Sequence, residues 1–256
     1  INFDSTNKNV SSKNVDSAER GIAKVNEGLP QINIAYFLDS QTGIPLYFDV
    51  YYGSIVDMEH CKTAVNILKN IDEKAKTCFV MDRGYFSGQN LDFLSENNYK
   101  FICMAKDCKA FDQLIVQNPH DKISDPENRV IGTIFGIKTQ GKITSTSKLY
   151  HLYLFYNDEN VPFMCKEKQD YVEIVCKQLI GKRDQKHAIR NTYDKMINFK
   201  MNEKNWIVDA KPNYEYLRQS RKTSGYFLIV SSEDLSCSEI LQAYRFRNNI
   251  EIDFKY

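Results

Sequence analysis

A short apolar strand that runs directly into a polar turn is the feature that most restricts the fold of this chain. Residues 77–81 read Thr-Cys-Phe-Val-Met and lack the alternating polar positions of a half-exposed strand. Strands of this kind are buried on both faces, as they are in parallel sheets covered by helices. Asp82-Arg83-Gly84-Tyr85 follows at once, and Ser87 is placed to cap a helix. The stretch therefore predicts a strand-turn-helix unit in a helix-covered sheet.

The elements around this unit predict an α/β fold. Apolar alternation and turn residues predict five strands in the first hundred or so residues, at 1–6, 31–38, 44–52, 77–81 and 101–105. Helices are predicted at 59–71 and from Ser87 onward. The resulting order, β-β-β-α-β-α-β with mixed strand pairing, is that of a ribonuclease H-like core, a mixed sheet flanked by helices.

The second half of the chain has a different character, and we predict an insertion at 109–222. Its predicted parts are an irregular stretch at 111–141, a strand at 149–156, helix at 168–201 and a loop at 211–224. An apolar strand at 225–230 and a helix from about Ser236 follow. The predicted domains are therefore a first part of the core at 1–108, a β-rich and helical insertion at 109–222, and a closing strand and helix at 223–256.

Composition excludes several classes of protein. The seven cysteines are an odd number without a C-x-x-C pair, which argues against a disulfide framework and for a reducing compartment. The four histidines show no zinc-like spacing. No apolar run approaches the roughly 18 residues that a membrane span needs, so we expect a cytoplasmic protein with no membrane partner.

A net charge of +1 does not by itself indicate nucleic-acid binding. A polyanion would therefore have to bind local patches of basic residues. The first candidate patch, on one predicted helix, contains Lys182, Arg183, Lys186 and Arg190. The second, in a predicted loop, contains Arg218, Arg221 and Lys222. The single tryptophan, Trp206, is predicted to be a packed core residue, with stacking on a nucleic-acid base as the alternative.

The last stretch of the chain carries a polar stripe on a predicted helix. Tyr244, Arg247 and Glu251 have the spacing Y-x2-R-x3-E, which places them within about 60° of one another on a helix surface. Carboxylates hold divalent cations, and guanidinium and phenol groups hold phosphate oxygens. The simpler interpretation is a surface ion pair between Arg247 and Glu251, which stabilises a helix by only about 0.2–0.5 kcal/mol.

Three carboxylates fall where a shared metal site would need them. Asp4 is at the end of the first predicted strand, Asp82 follows the fourth, and Glu251 lies on the closing helix. Two divalent cations about 3.5–4 Å apart can activate an attacking oxygen and stabilise a leaving oxygen in phosphodiester displacement. Each residue alone has a structural explanation, as a turn residue, a helix cap or an ion-pair partner. Their joint arrangement favours the metal site.

The same residues resemble a known family. Tyr244, Arg247 and Glu251 are similar to the first three members of the Y-x2-R-x3-E-x6-K signature of DDE transposases of bacterial insertion sequences, of the insertion-sequence-4 type. Asp82-Arg83-Gly84-Tyr85 resembles the D-R-G-Y segment of the family's second aspartate, and Phe3-Asp4-Ser5-Thr6 resembles its first. Gly53-Ser54-x-x-Asp57 resembles a G-N-x-x-D segment. The signature lysine would fall two residues beyond Tyr256. We therefore expect this chain to be a piece of a longer protein.

The resemblance implies a function for each of these residues. Asp4, Asp82 and Glu251 would bind two Mg²⁺ or Mn²⁺ ions and catalyse cleavage at transposon ends and strand transfer into target DNA. Tyr244 and Arg247 would hold DNA phosphates, and Arg83 and Lys106 would contact the DNA backbone. The protein would act as a homodimer on paired transposon ends.

Two other functions fit the same sequence. A decayed transposase that still binds DNA or a partner would keep the fold and lose the chemistry, although all three carboxylates are present with Tyr244 and Arg247. A metal-dependent phosphohydrolase with Asp4 as nucleophile would need a second acid two residues later, where this chain has Thr6.

Overall fold

The computed structural model of the chain describes residues 1–12, 14–21, 29–40, 42–71, 77–143 and 148–247. Strands β1 to β11 span, in order, Asn2–Asn9, Gln31–Leu38, Pro45–Tyr52, Cys78–Met81, Lys100–Met104, Arg129–Ile131, Ile134–Gly141, Tyr150–Asn157, Ile197–Met201, Ile207–Pro212 and Tyr226–Ser231. Helices α1 to α8 span Asp57–Ile71, Gly88–Glu96, Lys109–Gln117, His120–Ile123, Asn160–Leu179, Ala188–Tyr193, Tyr214–Thr223 and Cys237–Arg245.

Nine of these strands form one mixed sheet in the order β3-β2-β1-β4-β5-β11-β8-β7-β6. β1, β2 and β3 form an antiparallel meander, whereas β4 pairs in parallel with both β1 and β5. β4 lies inside the sheet, and its residues Phe79, Val80 and Met81 are buried because both neighbours and the covering helices exclude water. The prediction of a large mixed sheet flanked by helices is confirmed.

Aromatic packing fixes the centre of the sheet. Phe3 of β1 stacks on Phe37 of β2 with ring centroids 4.4 Å apart, and the ring of Tyr85 lies 4.4 Å from Phe3. Phe3, Phe37 and Tyr85 are essentially inaccessible to water. Tyr85 belongs to the short 3₁₀ turn Arg83–Tyr85 that follows β4, so this packing holds the turn against the sheet.

Side-chain caps begin the two helices that border the candidate site. The Ser87 hydroxyl accepts a hydrogen bond from the Asn90 amide at the start of α2, as the sequence predicts. Ser236 and Glu239 form a reciprocal capping box at the start of α8. α8 packs against β4 and β5, with Ile240, Leu241 and Tyr244 buried.

Two glycines permit a close backbone approach beside the meander. A Cβ atom on Gly21 would lie 1.9 Å from the Gly53 carbonyl oxygen, and one on Gly53 would lie 2.0 Å from the Gln31 carbonyl oxygen. Real Cβ atoms never approach backbone oxygen so closely, so neither position accepts another residue without a backbone shift.

Several predicted elements were wrong in extent or type. β1 continues to Asn9, beyond the predicted strand at 1–6, because it pairs with β2 along its whole length. The stretch 111–141 contains α3, α4, β6 and β7 rather than irregular structure. The helix predicted at 168–201 begins at Asn160 and ends at Leu179, and β9 occupies its last part. The loop predicted at 211–224 contains α7, which Asn213 caps.

The predicted basic helix is also wrong. Lys186 and His187 have φ angles of 54° and 58°, left-handed values that interrupt a helix. Arg183 lies before this break and forms an antiparallel bridge with Trp206, whereas Arg190 lies after it on α6. Trp206 is 42% exposed, so it is not a packed core residue.

The chain divides into two compact units. The first, which we call the sheet unit, comprises residues 1–131, 135–155 and 227–256, and the second, the hairpin unit, comprises 132–134 and 156–226. The hairpin unit has its own core, in which Val172, Val175 and Leu179 of α5 pack with Ile197 and Ile207 of the β9-β10 hairpin. The division into compact units does not test the predicted insertion at 109–222. That prediction describes which part of the chain is inserted into a ribonuclease H-like core, so it stays a prediction.

Among the described residues, no helix is both long and apolar enough to cross a membrane.

Candidate active site

Strand pairing brings two of the three predicted carboxylates to neighbouring positions. β1 and β4 are parallel, and their register places Asn2 beside Val80 and Phe3 beside Met81. Asp4 and Asp82 are the next residue on each side, and adjacent strands lie about 4.8 Å apart. Asp82 directly follows β4, as predicted. Asp4 lies inside β1 rather than at its end, although the pairing of β1 with β4 stops at Phe3.

Each aspartate contacts one of two polar side chains at or just beyond the end of α8. The Arg247 guanidinium donates to Asp4 Oδ2 at 2.5 Å, and the two side chains are only 7% and 15% exposed. The Tyr244 hydroxyl donates to Asp82 Oδ1 at 3.0 Å. The structure therefore brings together Asp4 of β1, Asp82 of the turn after β4, Tyr244 of α8 and Arg247 just after α8.

The backbone also holds these carboxylates in place. Asp4 Oδ1 accepts a hydrogen bond from the Ser5 amide at 2.8 Å, and Asp82 Oδ1 accepts one from the Arg83 amide at 2.7 Å. Asp82 thereby caps the 3₁₀ turn that follows it. In both aspartates the accepting oxygen, Oδ1, is held by the backbone amide of the next residue. This contact fixes the direction of the second carboxylate oxygen, Oδ2.

The end of α8 is fastened to β1. The buried Asn2 side chain donates to the Phe246 carbonyl at 3.0 Å, one residue before Arg247. The Arg247 guanidinium carbon lies 5.4 Å from the centroid of the Tyr244 ring, within cation–π range. Burial, followed by the negative charge of Asp82, raises the pKa of Tyr244. The phenol therefore stays protonated and acts as a hydrogen-bond donor at neutral pH.

The remaining predicted site residues are placed less directly. Arg83 is exposed on the turn after Asp82, and Lys106 is exposed two residues beyond the end of β5. Within the described part of the chain, neither forms an ion pair. Glu251 lies outside the described residues, and so does the segment 248–256 that contains it.

A polar network beside Asp4 was not predicted. The Tyr51 hydroxyl donates to Asp57 Oδ1 at 2.7 Å, and the Tyr51 ring stacks on His60 at 3.7 Å. His60 Nε2 lies 3.0 Å from Asp49 Oδ2, yet burial lowers the pKa of the imidazole. Burial first, and the charges of Asp57 and Asp4 after it, raise the pKa of Tyr51. The Gly53-Ser54-x-x-Asp57 segment was the only sequence signal for this network.

The donors at the site suit a hard divalent cation. Asp4 and Asp82 offer carboxylate oxygens from separate elements, which is the ligand type that Mg²⁺ and Mn²⁺ prefer. Asp82 Oδ2 accepts no hydrogen bond from any residue that the structure describes. Across the described ranges, no three acidic, histidine or cysteine side chains cluster as a complete metal site. Two of the three predicted ligands are thus brought together.

The chain belongs to the transposase DDE domain family, whose sequence profile matches residues 3–256. No curated protein sequence matches it. Among solved structures, a cryo-EM structure of the piggyBac transposase synaptic complex with hairpin DNA is similar, with a TM-score of 0.45 and 11% sequence identity. The similarity covers 99% of this chain and 39% of that one, so this chain spans less than half the length of that protein.

Proposed function

We propose that this domain catalyses DNA transposition, first cleaving phosphodiester bonds at transposon ends with water and then joining the freed 3′-hydroxyl to target DNA. The observation that carries the proposal is the convergence of Asp4 and Asp82 on neighbouring strands beneath Tyr244 and Arg247. The spacing of Tyr244, Arg247 and Glu251 supports the insertion-sequence-4 type, and the order of the first seven elements supports a ribonuclease H-like core.

We assign Asp4, Asp82 and Glu251 as ligands of two Mg²⁺ or Mn²⁺ ions. When bound, such ions lower the pKa of an attacking water or hydroxyl and neutralise charge on the leaving oxygen. The chain's own contribution is to fix the carboxylates, through the pairing of β1 with β4 and through the amide contacts to Asp4 and Asp82. A site on rigid strands keeps its geometry better than one on loops.

Tyr244 and Arg247 supply donors to the DNA phosphate. The protonated Tyr244 phenol can give one hydrogen bond, and the Arg247 guanidinium can grip two phosphate oxygens at once. Both donors bind carboxylates in the structure, so phosphate would replace an aspartate as their acceptor. The exposed Arg83 and Lys106 are proposed contacts to the DNA backbone near the strand ends. A homodimer on paired transposon ends completes the proposal.

Nicking of a supercoiled plasmid in the presence of Mn²⁺ tests this function. Asp82→Asn and Asp4→Asn are expected to abolish nicking, since each removes a ligand charge while keeping the side-chain shape. Asp121→Asn is the matched control, because Asp121 is exposed on α4 and belongs to no part of the site. Full nicking by Asp82→Asn would refute the assignment. DNA binding by the parent without any metal-dependent nicking would favour the decayed transposase instead.

A further inference from the structure

The hairpin unit contains a basic segment that the near-neutral total charge conceals. Residues 177–222 contain twelve lysines and arginines and only five aspartates and glutamates, whereas the whole chain has a net charge of +1. One of the five acids, Asp184, is buried and accepts a hydrogen bond from the Ile189 amide at 2.8 Å. The surface of this segment is therefore more basic than its composition alone indicates.

Strand alternation directs part of this charge to one side of the β9-β10 hairpin. Ile197, Phe199 and Met201 pack toward the core of the hairpin unit, so the exposed Lys200 between them points away from it. Ile207 likewise packs inward, and the preceding Trp206 is exposed. The side of the hairpin opposite its core thus carries both a cation and an exposed aromatic ring.

The segment that follows α5 pairs with the hairpin and adds a third extended stretch of chain to this side. Arg183 pairs with Trp206 in an antiparallel bridge, and directly opposite residues of such a pair share a face. The Arg183 side chain donates through Nε to the Lys204 carbonyl at 3.2 Å, which places it along the turn of the hairpin. We call Arg183, Lys200, Lys204 and Trp206 the hairpin face.

The charges of the hairpin face are available to a partner. Within the described residues, none of its three cations forms an ion pair. Two acids lie nearby: Glu203 is in the same turn, and Asp209 stands opposite Lys200 but pairs with Lys211 at 3.5 Å. The balance stays positive.

We propose that the hairpin face is a DNA-binding surface that contacts the sugar-phosphate backbone through Arg183, Lys200 and Lys204. Cations without carboxylate partners release counterions from a polyanion, and an adjacent exposed aromatic ring suits a nucleic acid better than a small anion. The identity of the polyanion as DNA rests on the proposed function. The surface itself lies wholly within the hairpin unit and is distinct from the carboxylate site.

The chain offers a matched control on the same unit. Arg221 and Lys222 are exposed at the end of α7, next to Ser224, whose hydroxyl lies 3.6 Å from Cys165 Sγ on α5. The hairpin is tied to the other end of α5 through Gly181, whose amide donates to the Ile207 carbonyl. Cys165 and Leu179 are 14 residues apart on α5, which corresponds to about 21 Å. The two basic pairs are therefore well separated.

The test is fluorescence anisotropy with a labelled random-sequence DNA duplex, without metal, over a series of salt concentrations. Lys200→Gln with Lys204→Gln removes two cations whose side chains have no hydrogen bond or ion pair in the described structure. We expect about tenfold or greater loss of affinity and a log–log salt slope shallower by about 1.8. Arg221→Gln with Lys222→Gln should keep the parental slope. Equal binding by the parent and the hairpin variant, equal loss in both variants, or no binding by the parent would each overturn the proposal.

Trp206 gives a second, local readout because it is the only tryptophan in the chain. Saturating unlabelled duplex should change its emission in the parent and in the α7 variant. DNA binding that leaves the emission unchanged would overturn the proposal even if affinity falls.

Plasmid nicking by the same proteins separates this inference from the proposed function. If Asp82→Asn abolishes nicking while the hairpin variant binds like the parent, only the hairpin surface is refuted. If the hairpin variant loses affinity while Asp82→Asn still nicks, only the catalytic assignment is refuted.

Discussion

The contact between Arg247 and Asp4 joins two side chains that the proposed function needs for different partners. A carboxylate that is mostly buried requires a cation, because an unpaired charge in such a place is costly. Arg247 satisfies this requirement in the structure, at 2.5 Å. A divalent cation on Asp4 would satisfy it equally and would free the guanidinium for phosphate. In the proposed function, the ion pair would therefore compete with the metal for Asp4 and with phosphate for Arg247.

Arg247→Gln tests this competition. Loss of the guanidinium removes the Arg247 contact from the mostly buried Asp4 carboxylate, so we expect a loss of about 1–3 kcal/mol in the free energy of unfolding without metal. Mn²⁺ should then raise the melting temperature more in the variant than in the parent, since a ligand at a given concentration stabilises the folded state more when its affinity is higher. Thermal unfolding over a Mn²⁺ titration measures both effects.

Arg83→Gln is the control for that experiment, because it removes the same charge from an exposed position beside Asp82. An equal increase of the Mn²⁺ effect in Arg83→Gln would show that overall charge, rather than the contact with Asp4, is responsible. An Arg247→Gln protein that responds to Mn²⁺ like the parent would contradict the competition itself.

The glycines give a prediction about backbone packing. Gly53→Ala would place a methyl group 2.0 Å from the Gln31 carbonyl oxygen and 2.6 Å from that of Glu19, so the backbone must shift. We expect a cost of about 1–3 kcal/mol, or more. Gly84→Ala is the comparison, because its methyl group would meet only Asp57 Oδ2 at 3.6 Å, an ordinary contact. Urea unfolding should show a clear loss for the first and a change within about 0.5 kcal/mol for the second.

At the scale of elements, local sequence signals predicted the sheet unit better than the hairpin unit. β4 is apolar throughout and the helix after it begins at a serine cap, so burial and capping both agree with the local sequence. In the hairpin unit, β9 alternates apolar residues with the polar Asn198 and Lys200, which is itself a strand pattern, but the pattern is short and was included in a predicted helix. α7 is rich in polar residues and depends on its Asn213 cap.

The same distinction applies to the site. Asp82, Tyr244 and Arg247 were predicted from short motifs, which a sequence displays directly, although α8 ends at Arg245 and Arg247 lies just beyond it. Arg247 binds Asp4 from 243 residues away. This contact depends on the packing of α8 on the sheet and on the hydrogen bond that the Asn2 side chain donates to the Phe246 carbonyl. Nothing within the local sequence of Asn2 indicates this anchoring function. The register of two distant strands is likewise a property of the folded sheet.

Helix α8 carries Tyr244 and leads directly to Arg247, so its stability is an element-scale prediction. Ser236→Ala removes the capping box with Glu239 and is expected to cost about 0.5–2 kcal/mol. Ser238 lies two residues further along the same helix, is exposed and has no capping function. Ser238→Ala should therefore be neutral or slightly stabilising. Chemical denaturation of both variants measures the difference. Equal stability of the two would show that the cap contributes nothing.

At the scale of the whole molecule, the two units have separate apolar cores. The sheet unit is built around residues such as Phe3, Phe79 and Leu94, and the hairpin unit around α5, Ile197 and Ile207. Proteins with more than one core often open by parts rather than all at once, and each part has its own free energy of opening. A cavity made in one core should therefore be felt first in that unit.

Hydrogen exchange followed by mass spectrometry can locate such an effect. Ile207→Ala removes a side chain that is 1% exposed, and a truncation of this kind costs about 2–5 kcal/mol. We expect faster exchange in peptides from α5, β9 and β10, with protection retained in peptides from β4 and β5. Leu94→Ala, in the sheet unit, should give the reverse pattern. If either variant accelerates exchange equally across both units, the chain opens as one cooperative body rather than by parts.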